Sequence, residues 1–499
     1  MDLLAGLAQG FAVVLTPSVL AYCLFGSLIG TLIGVLPGIG PLAALALLMP
    51  ATFTMPPVAA MAMLASMFYG AMYGGSTTSI LVNIPGEAAS VVTCIDGHQM
   101  ARNGRAGAAL GIAAIGSFVA GTLSLVAMTF FSPLLTKLAV GFGPPEYFSL
   151  MVLGLVCALL MSEGSTLRNL VMLAFGLLLA SVGMDPVSGM ERFTFGSVNL
   201  MGGFELVAVI IGLFGLSEIL LNVETTLRNE IVTRRVRDIW PTRRDLADAW
   251  RPTLRGSGLG FVFGVLPGGG PVTASFLSYV LERKVSRTPE RFGKGAIEGV
   301  AGPESANNAA VASSMIPLLS LGLPGNAVTA LLMGALVIQG VQPGPALITQ
   351  RPDVFWGVIA SMYVGNVFLL ILNLPLIGLW VQLLRIPYSV LFPLILLLAT
   401  VGSYSANKNF FDLWVMLGFG VLGWVLRKGG YELAPLVLAL VLAPMMEQSL
   451  RQSMMMSTGG AAILVDRPVS LGLLAAAAAL VLLILKRHLN HKETRHVLS

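Results

Sequence analysis

One twelve-residue sequence occurs twice in the chain, and glycine and proline interrupt both copies. Residues 30–41 read GTLIGVLPGIGP and residues 260–271 read GFVFGVLPGGGP, with eight of the twelve positions identical. Such residues break a helix, and in lipid the freed backbone groups must face protein or a water-filled cavity. Paired breaks at corresponding places in two halves of a chain are typical of a transporter binding site. Two kinked helices are the simpler alternative.

Composition places the chain among membrane proteins. Hydrophobic residues make up 56% of the chain and charged residues only 11%, whereas charged residues are about a quarter of a soluble protein. The net charge of +5 comes from basic loops and the tail, which the positive-inside rule explains without a nucleic-acid partner. Cys23, Cys94 and Cys157 show no paired spacing, so neither a disulfide framework nor a metal cluster is indicated.

The apolar segments predict about 12 membrane crossings. Residues 3–20 are long enough for one crossing, and because no basic residue precedes Arg102 this segment does not resemble a cleaved signal peptide. Residues 21–49 are broken by Pro37 and Pro41, and because the second arm is too short to span alone they predict a re-entrant hairpin. Four further crossings are expected over residues 106–223, and five more over residues 355–485.

The charge pattern predicts an inverted repeat. Residues 1–223 form the first membrane repeat, 224–255 a cytoplasmic basic linker, 256–485 the second repeat and 486–499 a cytoplasmic tail. Basic residues flank the second copy of the duplicated sequence on both sides but are missing around the first, so the two hairpins are expected to open from opposite faces. The expected fold is an all-α polytopic membrane protein, an inverted repeat with re-entrant hairpins and broken helices, with both termini cytoplasmic.

Small polar residues near the breaks form the candidate substrate site. Hydroxyls, amides and the free N–H groups of half-helices can donate to an anion, and released carbonyl groups can coordinate Na⁺. Each of these residues could equally hold packed helices together. The candidates are Gly38, Gly40, Ser76, Thr77, Thr78, Ser79 and Asn83 in the first half, and Gly268, Gly270, Ser305, Asn307, Asn308, Gly325 and Asn326 in the second.

Glu304 is the candidate for ion coupling, together with Asn307 and Asn308. An ionisable residue within an apolar stretch suggests a functional site. It could carry a proton, bind a cation such as Na⁺, or lie at the membrane surface beside the charged arm that ends at Glu298. Asp96 is expected to be a solvated loop residue, as is His98, because two arginines follow at once.

Enzyme motifs are missing from the sequence. Three of the four histidines lie in the tail, and the chain contains no HExxH pair, no GxSxG elbow and no GxxxxGK[ST] phosphate loop. Catalysis, an ATP-driven pump and an organic cofactor are therefore not expected. A Na⁺ site is the one metal site that the residues suggest.

Motifs across nearly the whole chain resemble the large membrane subunit of the tripartite tricarboxylate transporters, the TctA family. They are the two copies of VLPGxGP, YGGSTTSILVNIPGE and DGHQMARNGRAGAALG in the first half, and ESANNAA followed by IPLLSLGLPG in the second. The resemblance implies a bacterial inner-membrane protein that works with a small membrane subunit (TctB-like) and a periplasmic solute-binding protein (TctC-like). It also implies uptake of citrate or a related organic acid, driven by an ion gradient.

The expected function is therefore secondary uptake of an organic anion with cations, with Na⁺ favoured over H⁺. A stand-alone carrier that needs no binding protein is one alternative. A channel or an assembly subunit without transport activity is another. Saturable, ion-coupled counterflow in vesicles would separate the carrier from the channel.

Overall fold

The computed structural model describes residues 3–36, 40–161, 165–185, 188–224, 239–266, 268, 270–383, 388–457 and 460–496. Helices form nearly all of this part, as the sequence predicts. One two-stranded antiparallel ladder pairs β1 (Gly183–Met184) with β2 (Glu191–Arg192). The Gly38 position and residues 225–238 of the predicted linker lie outside the described residues.

Twenty-two α-helices follow one another along the described residues, joined by short 3₁₀ and π turns. They are α1 (Leu3–Val14), α2 (Pro17–Val35), α3 (Gly40–Leu48), α4 (Pro57–Val82), α5 (Val91–Met100), α6 (Ala106–Ala139), α7 (Pro144–Met161), α8 (Thr166–Ala180), α9 (Leu206–Ile210), α10 (Ser217–Glu224), α11 (Arg243–Val265), α12 (Gly270–Val285), α13 (Glu298–Leu321), α14 (Ala327–Ile338), α15 (Leu347–Gln350), α16 (Pro352–Asn373), α17 (Ile377–Leu383), α18 (Tyr388–Asn407), α19 (Phe410–Lys428), α20 (Ala434–Met456), α21 (Ile463–Asp466) and α22 (Pro468–His496).

Several of these helices are suited to cross a bilayer. In the described part, five are long and apolar enough: Pro17–Val35, Pro57–Val82, the continuous run Ala88–Ala139, Pro352–Asn373 and Phe410–Lys428. A bent pair, Gly460–Asp466 with Pro468–Leu483, would make a sixth span, and further apolar helices have 10–17 residues. The chain is a multi-pass helical membrane protein, and the count of about 12 crossings stays a prediction.

Two predicted crossings are broken in the structure. In residues 3–20, α1 ends at Val14 and α2 begins at Pro17, where proline suits the first turn of a new helix. In residues 355–384, α16 ends at Asn373 and α17 begins after Pro375, whose ring is incompatible with a continuing helix. Each segment therefore contains two helices, and a single crossing by each stays a prediction.

Residues 96–105, which were predicted to form a loop, are helical. α5 is followed directly by a π turn over Ala101–Arg105, and Gly104 adopts a left-handed conformation with a φ of +78°. His98 on α5 is partly buried, and its Nδ1 lies 3.1 Å from the carbonyl oxygen of Ile80. The α5 part of this segment therefore packs on the end of α4, whereas residues 102–105 are exposed.

The described residues fall into two compact units. The first comprises Met1–Lys137 and Glu205–Trp424. Its centre holds α4 and α13, whose side chains are almost all buried. The second comprises Leu138–Phe204 and Val425–Ser499 and contains α7, α8, α20 and α22, with an ion pair of 2.7 Å between Arg451 and Asp185.

The duplicated sequence builds the same helix pair twice within the first unit. α2 packs along α4, and α11 packs along α13, with three glycines at successive turns in each contact. A Cβ atom at any of these glycines would overlap a backbone carbonyl group, so the helices approach as closely as only glycine allows. The facing pairs are Gly26 with Met63, Gly30 with Met67, Gly34 with Ala71, Gly256 with Gly302, Gly260 with Ala306 and Gly264 with Ala310. The repeated sequence therefore corresponds to a repeated packing of helices. The opposite orientation of the two repeats in the membrane stays a prediction.

Candidate functional site

The two central helices, α4 and α13, end in the same way. Asn83 and Gly322 end them in the left-handed conformation, with φ values of +61° and +70°. A hydrophobic residue and a Pro-Gly pair follow in both halves. Glu87 and Asn326 then cap the next helical segment, each accepting a backbone N–H through a side-chain oxygen, at 2.6 and 2.9 Å. The repeat thus places a carboxyl group in one half where the other half has an amide.

The breaks in the duplicated sequence lie against these turns. The backbone N–H of Gly268 donates to the carbonyl oxygen of Gly325 at 2.6 Å, so two predicted site residues meet. Gly268 has a φ of +78°, and Gly40 and Gly270 begin α3 and α12 with φ values of +65° and +52°. A Cβ at Gly40 or Gly270 would meet no atom within 4 Å. Left-handed backbone, which favours glycine, therefore explains these residues at the breaks.

Glu304 lies in the second turn of α13 with 1% of its surface exposed. Its Oε2 accepts a hydrogen bond of 2.6 Å from the hydroxyl of Ser76 on α4, and its Oε1 accepts one from the hydroxyl of Thr93 on α5. Glu304 is therefore buried within the protein, and its role in ion coupling stays a prediction. A carboxyl group from the second half of the chain is held by two hydroxyls from the first half.

Asn308 extends this polar cluster along α13. Its Nδ2 donates to the hydroxyl of Ser117 at 2.7 Å and to the carbonyl oxygen of Glu304 at 3.1 Å. The Oδ1 atoms of Asn307 and Asn308 and the hydroxyl of Ser305 are buried with no hydrogen-bond partner. Because buried polar atoms are normally paired, these three oxygens are suited to a ligand such as a cation or a water molecule.

Glu87 belongs to the same cluster, although the sequence analysis did not select it. It is 6% exposed, and its Oε1 accepts a hydrogen bond of 3.2 Å from Nδ2 of Asn307. In the described part of the chain, neither Glu87 nor Glu304 takes part in a salt bridge. The criterion that selected Glu304, an ionisable residue within an apolar stretch, would also have selected Glu87. Thr93 and Ser117 are not ionisable, so this criterion would not have selected them.

A small cavity of about 10 Å³ lies beside the cluster and is lined by Tyr73, Ser76, Thr77 and Ser117 among others. A volume of roughly 10 to 15 Å³ on this scale holds about one water molecule. An organic acid is far larger than this cavity. Entry of such a solute at this point requires the surrounding helices to move apart.

The other predicted residues have packing or capping contacts. The Thr78 hydroxyl donates to the carbonyl oxygen of Val35 at 2.6 Å and so ties α4 to the end of α2. The Ser79 hydroxyl donates to that of Ser90 at 2.9 Å. Asn83 is exposed at the end of α4. These contacts agree with the alternative in which such residues hold helices together, and they leave ligand binding at these positions a prediction.

Asp96 is buried, so the prediction of a solvated loop residue was wrong. Its Oδ1 accepts backbone hydrogen bonds from Gly293 at 2.9 Å and from Gly295 and Ala296 at 2.8 Å. Its Oδ2 accepts a hydrogen bond of 2.9 Å from the hydroxyl of Tyr279. Asp96 therefore ties α5 to the turn that precedes α13.

The fold and this cluster define a multi-pass helical membrane protein in which two repeated helix pairs surround a buried polar centre. Residues 20–438 match the model of a family described as "Tripartite tricarboxylate transporter TctA family". The match covers most of the chain, and the chain belongs to this family. The resemblance seen in the sequence motifs is thereby confirmed. Because the family is one of transporters, membership supports a transport function over catalysis.

Two relatives from Agrobacterium vitis are similar to the chain. An "uncharacterized 52.8 kDa protein in TAR-I ttuC' 3'region" is 50% identical over 495 residues, which is 99% of each chain. An "uncharacterized protein in TAR-II ttuC' 3'region" is 54% identical over 226 residues, which is 45% of this chain and 93% of the relative. No solved structure matches the chain.

Proposed function

We propose that this protein is the membrane component that carries an organic acid, a tricarboxylate or a related carboxylate, into the cell with a cation gradient as the energy source. Its membership of the TctA family supports a role in a tricarboxylate transporter. The family also supports a tripartite assembly with a small membrane subunit and a periplasmic binding protein. On this proposal the chain lies in the bacterial inner membrane with both termini in the cytoplasm.

The buried carboxyl group of Glu304 carries the proposal of cation coupling. Both of its oxygens accept hydrogen bonds from hydroxyls, and in the described residues it has no basic partner. A carboxylate buried in a membrane protein without a counter-charge is costly. A transported cation bound beside Glu304 would supply that counter-charge, so that the site is most stable when it is loaded.

Na⁺ is proposed in preference to a proton, because oxygen ligands suited to a metal cation lie beside this carboxyl group. Hydrogen bonds donated to both carboxylate oxygens stabilise the ionised form, which a metal cation can bind. The unpaired oxygen of Asn308, whose amide group also contacts the backbone of Glu304, is a neutral ligand of the kind that hard cations take. The organic acid itself would bind where Gly40, Gly268 and Gly270 open the helices and backbone N–H groups can reach an anion.

The test is uptake of labelled citrate into proteoliposomes under an imposed Na⁺ gradient. The chain with a small membrane subunit and a loaded binding protein should accumulate citrate, whereas the chain alone should transport poorly. Glu304→Gln should abolish Na⁺-driven accumulation. Glu298→Gln is the matched control, because Glu298 lies at the end of the same helix and pairs with Arg291 at 3.5 Å.

Each alternative has its own result in this assay. Strong uptake by the chain alone would support a stand-alone carrier. Non-saturable flux without accumulation would support a channel. Accumulation that persists in Glu304→Gln would contradict coupling at this carboxyl group. If citrate is not taken up, other di- and tricarboxylates offered with their own binding protein would identify the substrate.

A further inference from the structure

Glu87 and Asn326 occupy equivalent positions and have the same capping role, but only one of them can be charged. Both are N-caps with extended backbone, with φ and ψ of −150° and 166° for Glu87 and −155° and 174° for Asn326. Each forms a reciprocal capping box, with Ser90 and Thr329 respectively. The amide at Asn326 shows that this turn can be capped without a negative charge. Capping alone therefore does not explain a carboxyl group at position 87.

The surroundings of Glu87 add a second observation. Its Oε2 accepts the backbone N–H of Ala89 at 2.6 Å, and its Oε1 accepts Nδ2 of Asn307 at 3.2 Å. Asn307 is 1% exposed, and its Oδ1 is buried without a hydrogen-bond partner. The amide group that contacts Glu87 thus also carries an unsatisfied buried oxygen.

A buried carboxylate needs a compensating positive charge, and no salt bridge of the described residues supplies one to Glu87. Both of its oxygens accept N–H hydrogen bonds, which stabilise the carboxylate that a metal cation binds, and a bound cation would offset the cost of burying that charge. The free Oδ1 of Asn307 is a neutral oxygen ligand, which hard cations accept together with carboxylates.

We propose that Glu87 and Oδ1 of Asn307 form a second cation site of the transporter, which takes a hard monovalent cation of the Na⁺ type in addition to the ion at Glu304. This inference rests on the proposed function, because it assumes that the ion at Glu304 is also bound. The two carboxyl groups come from different repeats, Glu87 after α4 and Glu304 within α13. The charge that distinguishes Glu87 from Asn326 is then the feature that makes the first repeat able to bind an ion.

The test is the number of ²²Na⁺ ions bound per chain by the full-length protein in nanodiscs at pH 8. The wild type should bind two ions, and Glu87→Gln should bind one. Glu87→Gln should keep its fold, because an amide oxygen caps the equivalent turn at Asn326, and a thermal unfolding midpoint measured without Na⁺ would verify this. Asn307→Ala should lose the same ion, and it serves as the second variant if Glu87→Gln does not fold.

Ser90→Ala is the matched structural control. The Ser90 hydroxyl contacts the backbone N–H and carbonyl oxygen of Glu87 at 3.3 and 2.8 Å, so its loss weakens the cap and leaves the carboxyl group in place. This variant should unfold at a lower temperature and still bind two ions. The proposal is overturned if Glu87→Gln binds as many ions as the wild type with the same half-saturation.

The behaviour of Glu304→Gln separates this proposal from the proposed function. If Glu304→Gln loses one ion and Glu87→Gln loses none, the second site is overturned and coupling at Glu304 stands. If the wild type binds no Na⁺, both are overturned. Loss of one ion in each variant supports both.

Discussion

Two hydroxyl groups from the first half of the chain stabilise the carboxyl group of Glu304 in the second half. Ser76 lies on α4 and Thr93 on α5. A hydrogen bond to a charged group contributes about 1.5 to 3 kcal/mol, and about 1.4 kcal/mol corresponds to a factor of ten in an equilibrium constant. At the scale of single residues, these hydroxyls are expected to determine how readily Glu304 stays ionised for a cation.

Ser76→Ala and Thr93→Ala should each raise the Na⁺ concentration for half-maximal uptake by about tenfold or more, because each removes one charge-assisted hydrogen bond. The measurement is citrate uptake against Na⁺ concentration, normalised to folded protein. Ser79→Ala is the control, since its hydroxyl donates to Ser90 at 2.9 Å and not to Glu304. An unchanged half-saturation in both Ser76→Ala and Thr93→Ala would contradict a cation at Glu304.

Glu304 was predictable from the sequence as a candidate residue, whereas its environment was not. The choice between surface and interior depended on Ser76 and Thr93, which are more than 200 positions away in the chain. Asp96 was misjudged for the same reason. The arginines that follow it suggested solvent, whereas the backbone groups that bind it come from residues 293–296. Contacts over such distances leave no local pattern.

At the scale of helices, the glycine contacts are the main determinant of how α11 lies on α13. A Cβ at Gly260 would overlap the carbonyl oxygen of Ala306, whereas a Cβ at Gly258 on the same helix would meet no atom within 4 Å. Gly258 and Gly260 both lie inside α11, but only Gly260 is in close contact with a neighbouring helix. They therefore separate close packing from the general effect of glycine on a helix.

Gly260→Ala should lower the thermal unfolding midpoint and the yield of folded protein, because overpacking costs about 1 to 3 kcal/mol. Gly258→Ala should leave the midpoint unchanged or raise it, since alanine stabilises a helix by up to about 1 kcal/mol relative to glycine. Both midpoints can be measured on protein in detergent without any substrate. Equal midpoints in the two variants would contradict the close contact between α11 and α13.

The positions of helix breaks were only partly predictable from proline. The paired breaks in the duplicated sequence were recognised, because glycine and proline occur there together. The breaks before Pro17 and at Pro375 were missed, since proline alone does not indicate whether a helix ends. Proline also lies inside helices of this protein, at Pro133, Pro252, Pro303, Pro317, Pro393 and Pro444. Packing against neighbouring helices decides between these outcomes.

At the scale of the whole molecule, the orientation in the membrane is predicted from basic residues. Arg102 and the linker of residues 224–255 are expected in the cytoplasm by the positive-inside rule. The segment between α8 and α9 then lies on the opposite side. It contains the β1–β2 ladder and the highly exposed Phe195, with 90% of its surface accessible.

This orientation can be tested with single cysteines in a variant that lacks Cys23, Cys94 and Cys157. The cysteines replace Arg102, Arg244 and Phe195, one in each variant. An impermeant thiol reagent added to intact cells should label the cysteine at Phe195. The cysteines at Arg102 and Arg244, both exposed in the structure, should react only after the membrane is permeabilised. Labelling of Arg244→Cys from outside would overturn the predicted topology and, with it, the inverted repeat.

The glycine contacts also bear on how the two halves diverged after duplication. Gly30 and Gly260, in the first helix of each pair, are 230 residues apart, whereas Asn83 and Gly322, which end the second helix, are 239 apart. The added length lies outside the contacts, because one inserted residue would rotate the remaining glycines by about 100° away from their partners. The second half therefore carries nine additional residues between Gly270 and Gly302, where they leave the register of the glycine contacts unchanged.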